Sequence, residues 1–301
     1  MEFMGYIYAL SAGITWAVLG IYGTTLSRYG LTGNDVGFIR MFFGFIVGMI
    51  YIFKNKTLKK TIAVESIRHM IVIGVVTQGI MNIMLYKSII IVGTVTATML
   101  LCTGPIFTVL LSAFILKEKV NLQKKIALSI ASIGAVALVT EGDFRNVNFD
   151  IVGISLGCLA GLCYGLFPIL SRQVKKGDSP VVMTVYSFLI GSIVISPTVN
   201  LNKVFELATH IKPLLIMITF GLIPTFVSYL LFLKSMEYID TSKASIIAMI
   251  EIPISALIGV FILKESFNTA KLIGIILIIS GIMITKIDLS KMKKAKYKAT
   301  L

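Results

Sequence analysis

Residues 114–118 read Phe-Ile-Leu-Lys-Glu, and the same five residues recur in the same order at positions 261–265. The two copies are 147 residues apart in a chain of 301 residues, so the offset is close to half of its length. Several further residues repeat at this offset: Gly74 and Gly221, Ser88 and Ser235, Thr94 and Thr241, and Gly134 and Gly281. We therefore expect two similar halves, with one residue gained or lost beside Pro105 and Pro253, which are 148 residues apart.

The composition places both halves in a lipid bilayer. Hydrophobic residues make up 56% of the chain and charged residues only 14%, and the mean hydropathy is +0.93. Because a soluble domain carries about 25% charged residues, this chain has far more apolar surface than one soluble core could bury. The composition excludes most secreted, nucleic-acid-binding and cytosolic enzyme classes and predicts a polytopic membrane protein.

The net charge of +14 fits a membrane protein without a nucleic-acid partner, because Lys and Arg flank membrane helices on the cytosolic side. Cys102, Cys158 and Cys163 fall in apolar stretches and lack the spacing of a metal site. His69 and His210 lie at the ends of apolar stretches, and the sequence contains no phosphate-binding loop. We expect no catalytic residue, no metal and no cofactor.

Ten apolar stretches alternate with short polar segments, and most approach the length of about 20 residues that crosses hydrocarbon. They cover residues 5–26, 34–53, 69–90, 93–116, 123–140, 151–171, 180–199, 213–233, 241–263 and 269–286. The repeat offset contains five of them, so the second half must cross the membrane in the opposite direction to the first. The sequence predicts an all-α integral membrane protein of ten transmembrane helices in two inverted five-helix repeats, 1–145 and 146–287, followed by a basic tail at 288–301.

The distribution of cations predicts the orientation. Twenty of the 28 Lys and Arg residues lie in the termini and loops on the side of the N-terminus, and seven lie in the loops of the other side. Because cytosolic loops carry the excess of Lys and Arg, we expect both termini in the cytosol. The predicted location is the cytoplasmic (inner) cell membrane.

Polar side chains inside the predicted spans are few, and they occupy equivalent positions in the two halves. Gln78 and Asn82 in the third span correspond to Thr225 and Tyr229 in the eighth. A central site between inverted repeats needs polar groups at equivalent depth, so we expect these four residues to bind the substrate. The alternative is that they hydrogen-bond neighbouring helices and only hold the bundle together.

Two aromatic residues are related in the same way. Trp16, the only tryptophan, lies in the middle of the first span, and Tyr164 lies 148 residues later in the sixth. We expect the two rings to form walls of the binding site, where they would stack on a cation if the substrate carries one. Aromatic core packing is the alternative.

Several prolines and one arginine lie within spans, where they disturb the helix or the apolar surroundings. Pro105, Pro224 and Pro253 each remove a backbone donor and free a carbonyl group one turn earlier. Such groups are tolerated only against packed protein or a watery cavity, so we expect structural or gating roles. Arg40, in the second span, is expected to clamp freed carbonyl groups or to meet an anionic group.

Glu251 lies near the middle of the ninth span, where its side chain is too short to reach water. An ionisable residue at this depth indicates a functional site. Three roles are open: it binds and releases a coupling proton, it holds a cationic substrate, or it donates one hydrogen bond to a carbonyl group freed by Pro253. The sequence does not decide whether it contacts Arg40.

Three short segments and one arginine are typical of one family. They are Gly13-Ile14-Thr15-Trp16, Arg40, Gly104-Pro105 followed by residues 114–118, and Glu251-Ile252-Pro253 followed by residues 261–265. In these segments the chain resembles the EamA family of the drug/metabolite transporter superfamily over nearly its whole length. The resemblance implies export or uptake of amino acids and other small metabolites through a central cavity lined mainly by helices 1–4 and 6–9.

We expect a secondary active transporter that moves a small polar metabolite, an amino acid or a related compound with export favoured, by alternating access. Proton coupling is expected if Glu251 titrates. Uptake of a cationic or quaternary-amine nutrient is the alternative within transport, and a non-transporting scaffold or receptor is the alternative from another class. The sequence leaves open the substrate, the direction, the coupling ion and the choice between monomer and homodimer.

The inverted repeat makes a prediction about sidedness. In a background without the three native cysteines, a cysteine replacing Asn146 should react with an impermeant thiol reagent from outside, and one replacing Lys175 only from inside. Cysteines at residues 117 and 264, which follow the fourth and ninth predicted spans, should label from opposite sides. Labelling of both from the same side would mean that the halves are parallel.

Overall fold

The computed structural model describes residues 1–55, 64–174 and 178–286, and the predicted basic tail at 288–301 lies outside them. The first half contains α1 (Glu2–Ala17), α2 (Leu19–Ser27), α3 (Gly33–Lys54), α4 (Val64–Val72), α5 (Met81–Leu101), α6 (Gly104–Ile115) and α7 (Leu122–Thr140). The second half contains α8 (Ile151–Arg172), α9 (Pro180–Ile195), α10 (Leu201–Ala208), α11 (Ile211–Gly221), α12 (Ser228–Tyr238), α13 (Thr241–Ala248), α14 (Glu251–Phe261) and α15 (Thr269–Lys286). Within the described ranges every regular element is helical, as predicted.

Nine helical stretches of the described residues are long and apolar enough to cross a membrane, and Gly104–Ile115 is a shorter apolar helix. The longest stretch, Ile67–Leu101, has 35 residues and is interrupted at Gly93, whose φ of 82° is accessible mainly to glycine. The third and fourth predicted spans therefore meet at Gly93 without an intervening loop.

The chain reverses direction at Gly93. Before it, Met81 packs against Ala160, and Ser88 donates a hydrogen bond to the Gly153 carbonyl group, so this passage runs antiparallel to α8. After it, Leu100 lies against Gly157 and Phe107 against Gly165, so the next passage runs parallel to α8. Counted in this way, the described part of the chain makes ten passages, in two inverted sets of five.

The fourth and ninth passages are each broken near their centre. The first break, Cys102–Thr103, separates α5 from α6, and the second, Met249–Ile250, separates α13 from α14. The two breaks are 147 residues apart, so both copies of the repeat contain one. The sequence predicted two continuous helices here, because the residues at both breaks are apolar or small and carry no turn signal.

Each break packs against a glycine of the other half. A Cβ atom on Gly13 would lie 2.8 Å from the Ala248 carbonyl oxygen, and one on Gly161 would lie 2.8 Å from the Leu100 carbonyl oxygen. The missing side chains therefore admit the interrupted backbone of the opposite repeat. In hydrocarbon such backbone is stable only where protein covers it.

Each half also contains a π-helical segment at the same position, Ile73–Ile80 and Leu222–Val227. Pro224 lies in the second segment, where the Thr225 hydroxyl donates to the Phe220 carbonyl oxygen at 3.0 Å. A proline and a side-chain hydroxyl thus account for the local widening of the helix.

The two halves interlock. Helix α1 packs against α12, α13 and α14 of the second half, and α8 packs against α5 and α6 of the first half. Helices α7 and α15, which end the two halves, pack against each other. The first helix of each repeat therefore packs against helices of the other repeat. The space between these two sets of packed helices is the central cavity described below.

We predict that a methyl group at Gly161 destabilises the protein and that one at Gly23 does not. A Cβ atom at Gly161 would lie 2.6 Å from the Thr103 hydroxyl and 2.8 Å from the backbone oxygen of Leu100. Overpacking of this kind costs about 1–3 kcal/mol. Gly23 has no neighbour within 4 Å of an added Cβ, so Gly23→Ala should leave stability unchanged or raise it by up to ~1 kcal/mol.

The measurement is the thermal midpoint of the purified protein in detergent. Gly161→Ala should lower this midpoint relative to both the parent and Gly23→Ala. Equal midpoints for the two variants would show that the contact between Gly161 and the break does not constrain the fold.

Candidate functional site

A cavity of about 500 Å³ lies between the two halves. Residues of α1, α2, α5, α6, α8, α12, α13 and α14 form its walls. Glu141, Glu265 and Lys271 lie at its wide end, where α7 ends and α15 begins, and we call this group the mouth. The cavity thus reaches from the centre of the bundle to one of its two ends.

Aromatic rings form the floor of the cavity. The ring of Tyr229 meets Trp16 edge-on at 5.4 Å and Phe167 at 4.7 Å between centroids, and the ring of Phe232 lies 5.2 Å from Trp16. All four residues line the cavity, and a fifth ring, Phe188, supports Tyr229 from behind at 5.0 Å. Edge-to-face packing of this kind holds the rings in fixed orientations, so the floor is preorganised.

Glu251 lies in the cavity wall at the first residue of α14, directly after the break at Met249–Ile250. The sequence placed it in the middle of a continuous helix, whereas the structure places it at a helix N-terminus. The partial positive charge of that terminus stabilises a carboxylate in the first turn. The sequence pattern gave no sign of this environment.

Two further predicted residues lie beside Glu251. Tyr164 also lies in the cavity wall, close enough for its hydroxyl to influence the Glu251 carboxyl group. Arg40 is close enough to act electrostatically on both Glu251 and Tyr164. The Arg40 Nε atom is buried and has no hydrogen-bond partner among the described residues. Arg40 does not itself line the cavity, so its link to the carboxyl group is an electrostatic one.

Gln78, Asn82 and Thr225 lie behind the cavity wall. The Gln78 amide is fully buried and meets the Tyr229 hydroxyl at 3.3 Å, and the Asn82 amide donates to the Gln78 carbonyl oxygen at 2.6 Å. Thr225 is fully buried and bonds within its own helix. Four polar residues of the third and eighth predicted spans were expected to bind the substrate, and of these four Tyr229 alone lines the cavity in this conformation. Substrate contact by the other three stays a prediction.

The predicted prolines lie at or beside helix interruptions. Pro105 lines the cavity as the second residue of α6, Pro253 is the third residue of α14, and Pro224 lies inside a π-helical segment. A proline in the first turn of a helix removes a donor that has no partner within the helix. Pro105 and Pro253 therefore favour the restart of a helix after each break and do not kink a continuous one.

The end of the cavity opposite the mouth is closed by side chains of both halves, and we call this the sealed end. Glu118 accepts hydrogen bonds from the backbone N–H of Thr241 at 2.8 Å and of Ser242 at 3.1 Å, and from the Ser242 hydroxyl at 2.6 Å. Lys124 Nζ donates to Asp240 and to the Ser242 hydroxyl, both at 2.8 Å.

Although burial opposes ionisation of Glu118, hydrogen bonds from Ser242 and Thr241 hold the pKa of its carboxyl group below the usual range. The carboxylate is therefore ionised at neutral pH, next to the positive N-terminus of α13. Two further contacts close the same end: Lys243 pairs with Glu2 at 2.7 Å, and Arg172 donates to the Met236 carbonyl oxygen.

Sequence reasoning missed three parts of the site. Phe167 and Phe232 are apolar residues in apolar spans, so no contrast in the sequence distinguishes them from core residues. The polar residues of the sealed end could have been predicted, because the repeat continues beyond the pentapeptide to an asparagine and a lysine in each half. These residues are Asn121 and Lys124 in the first half and Asn268 and Lys271 in the second.

Comparison with known proteins assigns the family. The model of the EamA-like transporter family matches residues 3–140 and 151–287. A protein named "uncharacterized transporter" from Archaeoglobus fulgidus is 27% identical over 284 residues, which are 92% of this chain and 96% of the relative. One of the same name from Clostridium kluyveri is 26% identical over 305 residues, 97% of this chain and 94% of the relative.

A solved crystal structure has the same fold, with a TM-score of 0.76 at 14% sequence identity, over 93% of this chain and 96% of its own. The family match covers both halves of the chain, on either side of the connection between α7 and α8. The chain belongs to the EamA-like transporter family.

Proposed function

We propose that the protein is a secondary active transporter that moves a small polar metabolite across the cytoplasmic membrane by alternating access. The observation that carries the proposal is a central cavity, formed by both halves, that is open at one end and closed by paired charges at the other. Two inverted halves can exchange conformations and so expose one cavity to either side of the membrane. A scaffold or receptor that does not transport needs neither feature.

The charges around the cavity favour an amino acid or a related compound as substrate. Glu251 is suited to an ammonium group and Arg40 to a carboxylate, and the electrostatic effect of Arg40 reaches Glu251. The aromatic floor next to them suits an apolar side chain. Export is the favoured direction, and it rests on the family resemblance alone.

A second candidate is uptake of a cationic or quaternary-amine nutrient. Its support is the position of Glu251 close to Tyr164 and, across the cavity, the rings of Trp16 and Tyr229. A carboxylate next to aromatic faces is the usual environment for a quaternary ammonium group. In this case Arg40 would remain a structural clamp.

The charge distribution supports an orientation with both termini in the cytosol. The mouth then faces the outside, because α1 begins and α15 ends at the other end of the bundle, where Tyr6 donates to the Thr285 carbonyl oxygen. The partners under this proposal are the substrate, the lipid bilayer and, if Glu251 titrates, protons.

A thermal-shift screen of the purified protein against amino acids, amines, nucleobases and sugars should identify the substrate. A ligand at 100 times its Kd stabilises the folded protein by about 2.7 kcal/mol, which raises the unfolding midpoint measurably. A hit that is then accumulated by proteoliposomes would establish transport. A hit that binds but never crosses the membrane would favour the receptor alternative.

Glu251→Gln separates the roles of the carboxyl group, because it keeps size and hydrogen bonding but removes titration. Under proton coupling, the variant should exchange substrate across proteoliposomes but lose gradient-driven accumulation and the pH dependence of transport. Under cation binding, substrate affinity should fall at every pH. Glu206→Gln, an exposed carboxylate on α10, is the matched control and should behave as the parent protein.

Wild-type affinity, accumulation and pH profile in Glu251→Gln would remove Glu251 from the site. It would then be a protonated residue that only donates a hydrogen bond.

Tyr229→Leu and Asn82→Leu test which side of the cavity wall the substrate meets. Tyr229 lines the cavity and Asn82 lies behind it, so we expect Tyr229→Leu to weaken binding at least about tenfold, equivalent to ~1.4 kcal/mol. Asn82→Leu should change affinity less, provided that both variants elute as single species in size-exclusion chromatography. The reverse order of effects would place the substrate against the third predicted span, where the sequence predicts that Gln78 and Asn82 bind it.

A further inference from the structure

The mouth and the sealed end carry the same local structure, one copy from each half. Lys117 and Lys264 both adopt the left-handed conformation, with φ of 56° and 63°. The next residues, Glu118 and Glu265, both donate their backbone N–H, at 3.1 Å, to a carbonyl group six residues earlier. Both glutamates are therefore presented in the same way, at the end of a broken passage.

The following helices begin alike as well. Asn121 caps α7 by accepting a hydrogen bond from the backbone N–H of Lys124, and Asn268 accepts the equivalent bond from Lys271. The Nζ atoms of both lysines are buried in ion pairs, Lys124 with Asp240 and Lys271 with Glu141. The repeat thus extends from the pentapeptide to the first turn of the next helix.

The two glutamates differ in what they bind. Glu118 accepts from the first two backbone N–H groups of α13, at Thr241 and Ser242, and so joins the two halves. Among the described residues, the ion pair of Glu265 is with Lys271 of its own half, at 3.5 Å from Nζ, and its side chain is half exposed. One carboxylate is therefore bound to the helix N-terminus of the other half, and its copy is paired within its own half.

The counterpart of the α13 N-terminus in the first half is the stretch that begins at Thr94, directly after Gly93. Thr94 is exposed, whereas its equivalent Thr241 is fully buried. Thr98, one turn further on, lines the cavity together with Glu265. The Glu265 carboxylate and the stretch that begins at the exposed Thr94 therefore both border the same opening.

We propose that Glu265 is the gating residue of the mouth. When the mouth closes, its carboxylate binds the backbone N–H groups of Thr94 and Val95, as Glu118 binds those of Thr241 and Ser242 at the sealed end. This inference rests on the proposed alternating access. It assigns Glu118 and Glu265 to opposite conformations, so that each is engaged only when the other is free.

The two gates are not equal. At the sealed end, Asp240 and Ser242 add contacts to Lys124, but their equivalents at the mouth are Gly93 and Val95, which have no polar side chain. Lys271 instead pairs with Glu141 of the first half. Asn268 also donates to Glu141, so the mouth keeps polar contacts between the halves, but these do not include a carboxylate on a helix N-terminus.

The test measures the width of the mouth directly. Spin labels are placed on Thr94→Cys and Ser266→Cys, in a protein without the three native cysteines, and their distance distribution is recorded by double electron–electron resonance. Both positions are exposed, and neither change removes Glu265 or the backbone N–H groups. No substrate is needed.

Glu118→Gln should raise the ratio of the short to the long distance about tenfold, because it weakens charge-assisted bonds at the sealed end only. Glu265→Gln should lower the same ratio, because it removes charge-assisted bonds of the closed mouth, whereas in the open mouth it loses only a 3.5 Å ion pair with Lys271. Glu206→Gln, the exposed control, should leave it unchanged. A purely structural role of either glutamate would lower stability without opposite shifts.

Shifts in the same direction, or unchanged distances in both gate variants, would overturn the proposal. If Glu118→Gln fails to fold, Ser242→Ala replaces it. That variant removes one of the three contacts to Glu118 and should shift the ratio about threefold in the same direction as Glu118→Gln.

The spin-label distances test the two gates independently of the proposed transport function. Opposite shifts support the two gates even if no transported substrate is found. Transport without these shifts would support the function and overturn the gates.

Discussion

The structure depends on one constraint, that a backbone N–H or carbonyl group in hydrocarbon must find its partner within the protein. Within the described residues the chain meets this constraint largely with helices, and at the two breaks of the fourth and ninth passages the opposite half covers the backbone. The breaks after Leu101 and Ala248 lie against Gly161 and Gly13. A carboxyl group at the restart of a helix, as at Glu251, is tolerable only because these interruptions exist.

Much of the fold could be predicted from the sequence, because its causes are local or are copied. Hydropathy alone predicts the spans, since a helix that crosses lipid must be apolar along about 20 residues. The offset between the two Phe-Ile-Leu-Lys-Glu segments predicts the inverted halves, since five helices cannot return the chain to the side on which it began. Glu251, Tyr164 and Trp16 could be identified as wall residues because polar and large aromatic groups are rare at that depth.

The rest of the site depends on helix rotation and on backbone irregularities, which leave little trace in the sequence. Each residue turns a helix by about 100°, and spans that are apolar on all sides do not reveal which face points inward. Gln78 and Tyr229 were therefore both expected on the cavity wall, although Gln78 lies behind Tyr229 and binds its hydroxyl. The break beside Met249 has the same cause, because apolar residues give no signal for the end of a helix.

The contact between α7 and α15 has a consequence for assembly. Gly134 and Gly274 each lie against the backbone of the other. Exchanging the two halves turns this pair into Gly281 and Ala127, and Gly281 does lie against the backbone of Ala127. This surface is complementary to its own inverted copy, and it is formed by residues of the two helices themselves. The connection between them adds the cap of α8, where Asp150 accepts a hydrogen bond from the Gly153 N–H. Two separately synthesised halves would keep the contact between α7 and α15, to which a covalent connection contributes mainly effective concentration.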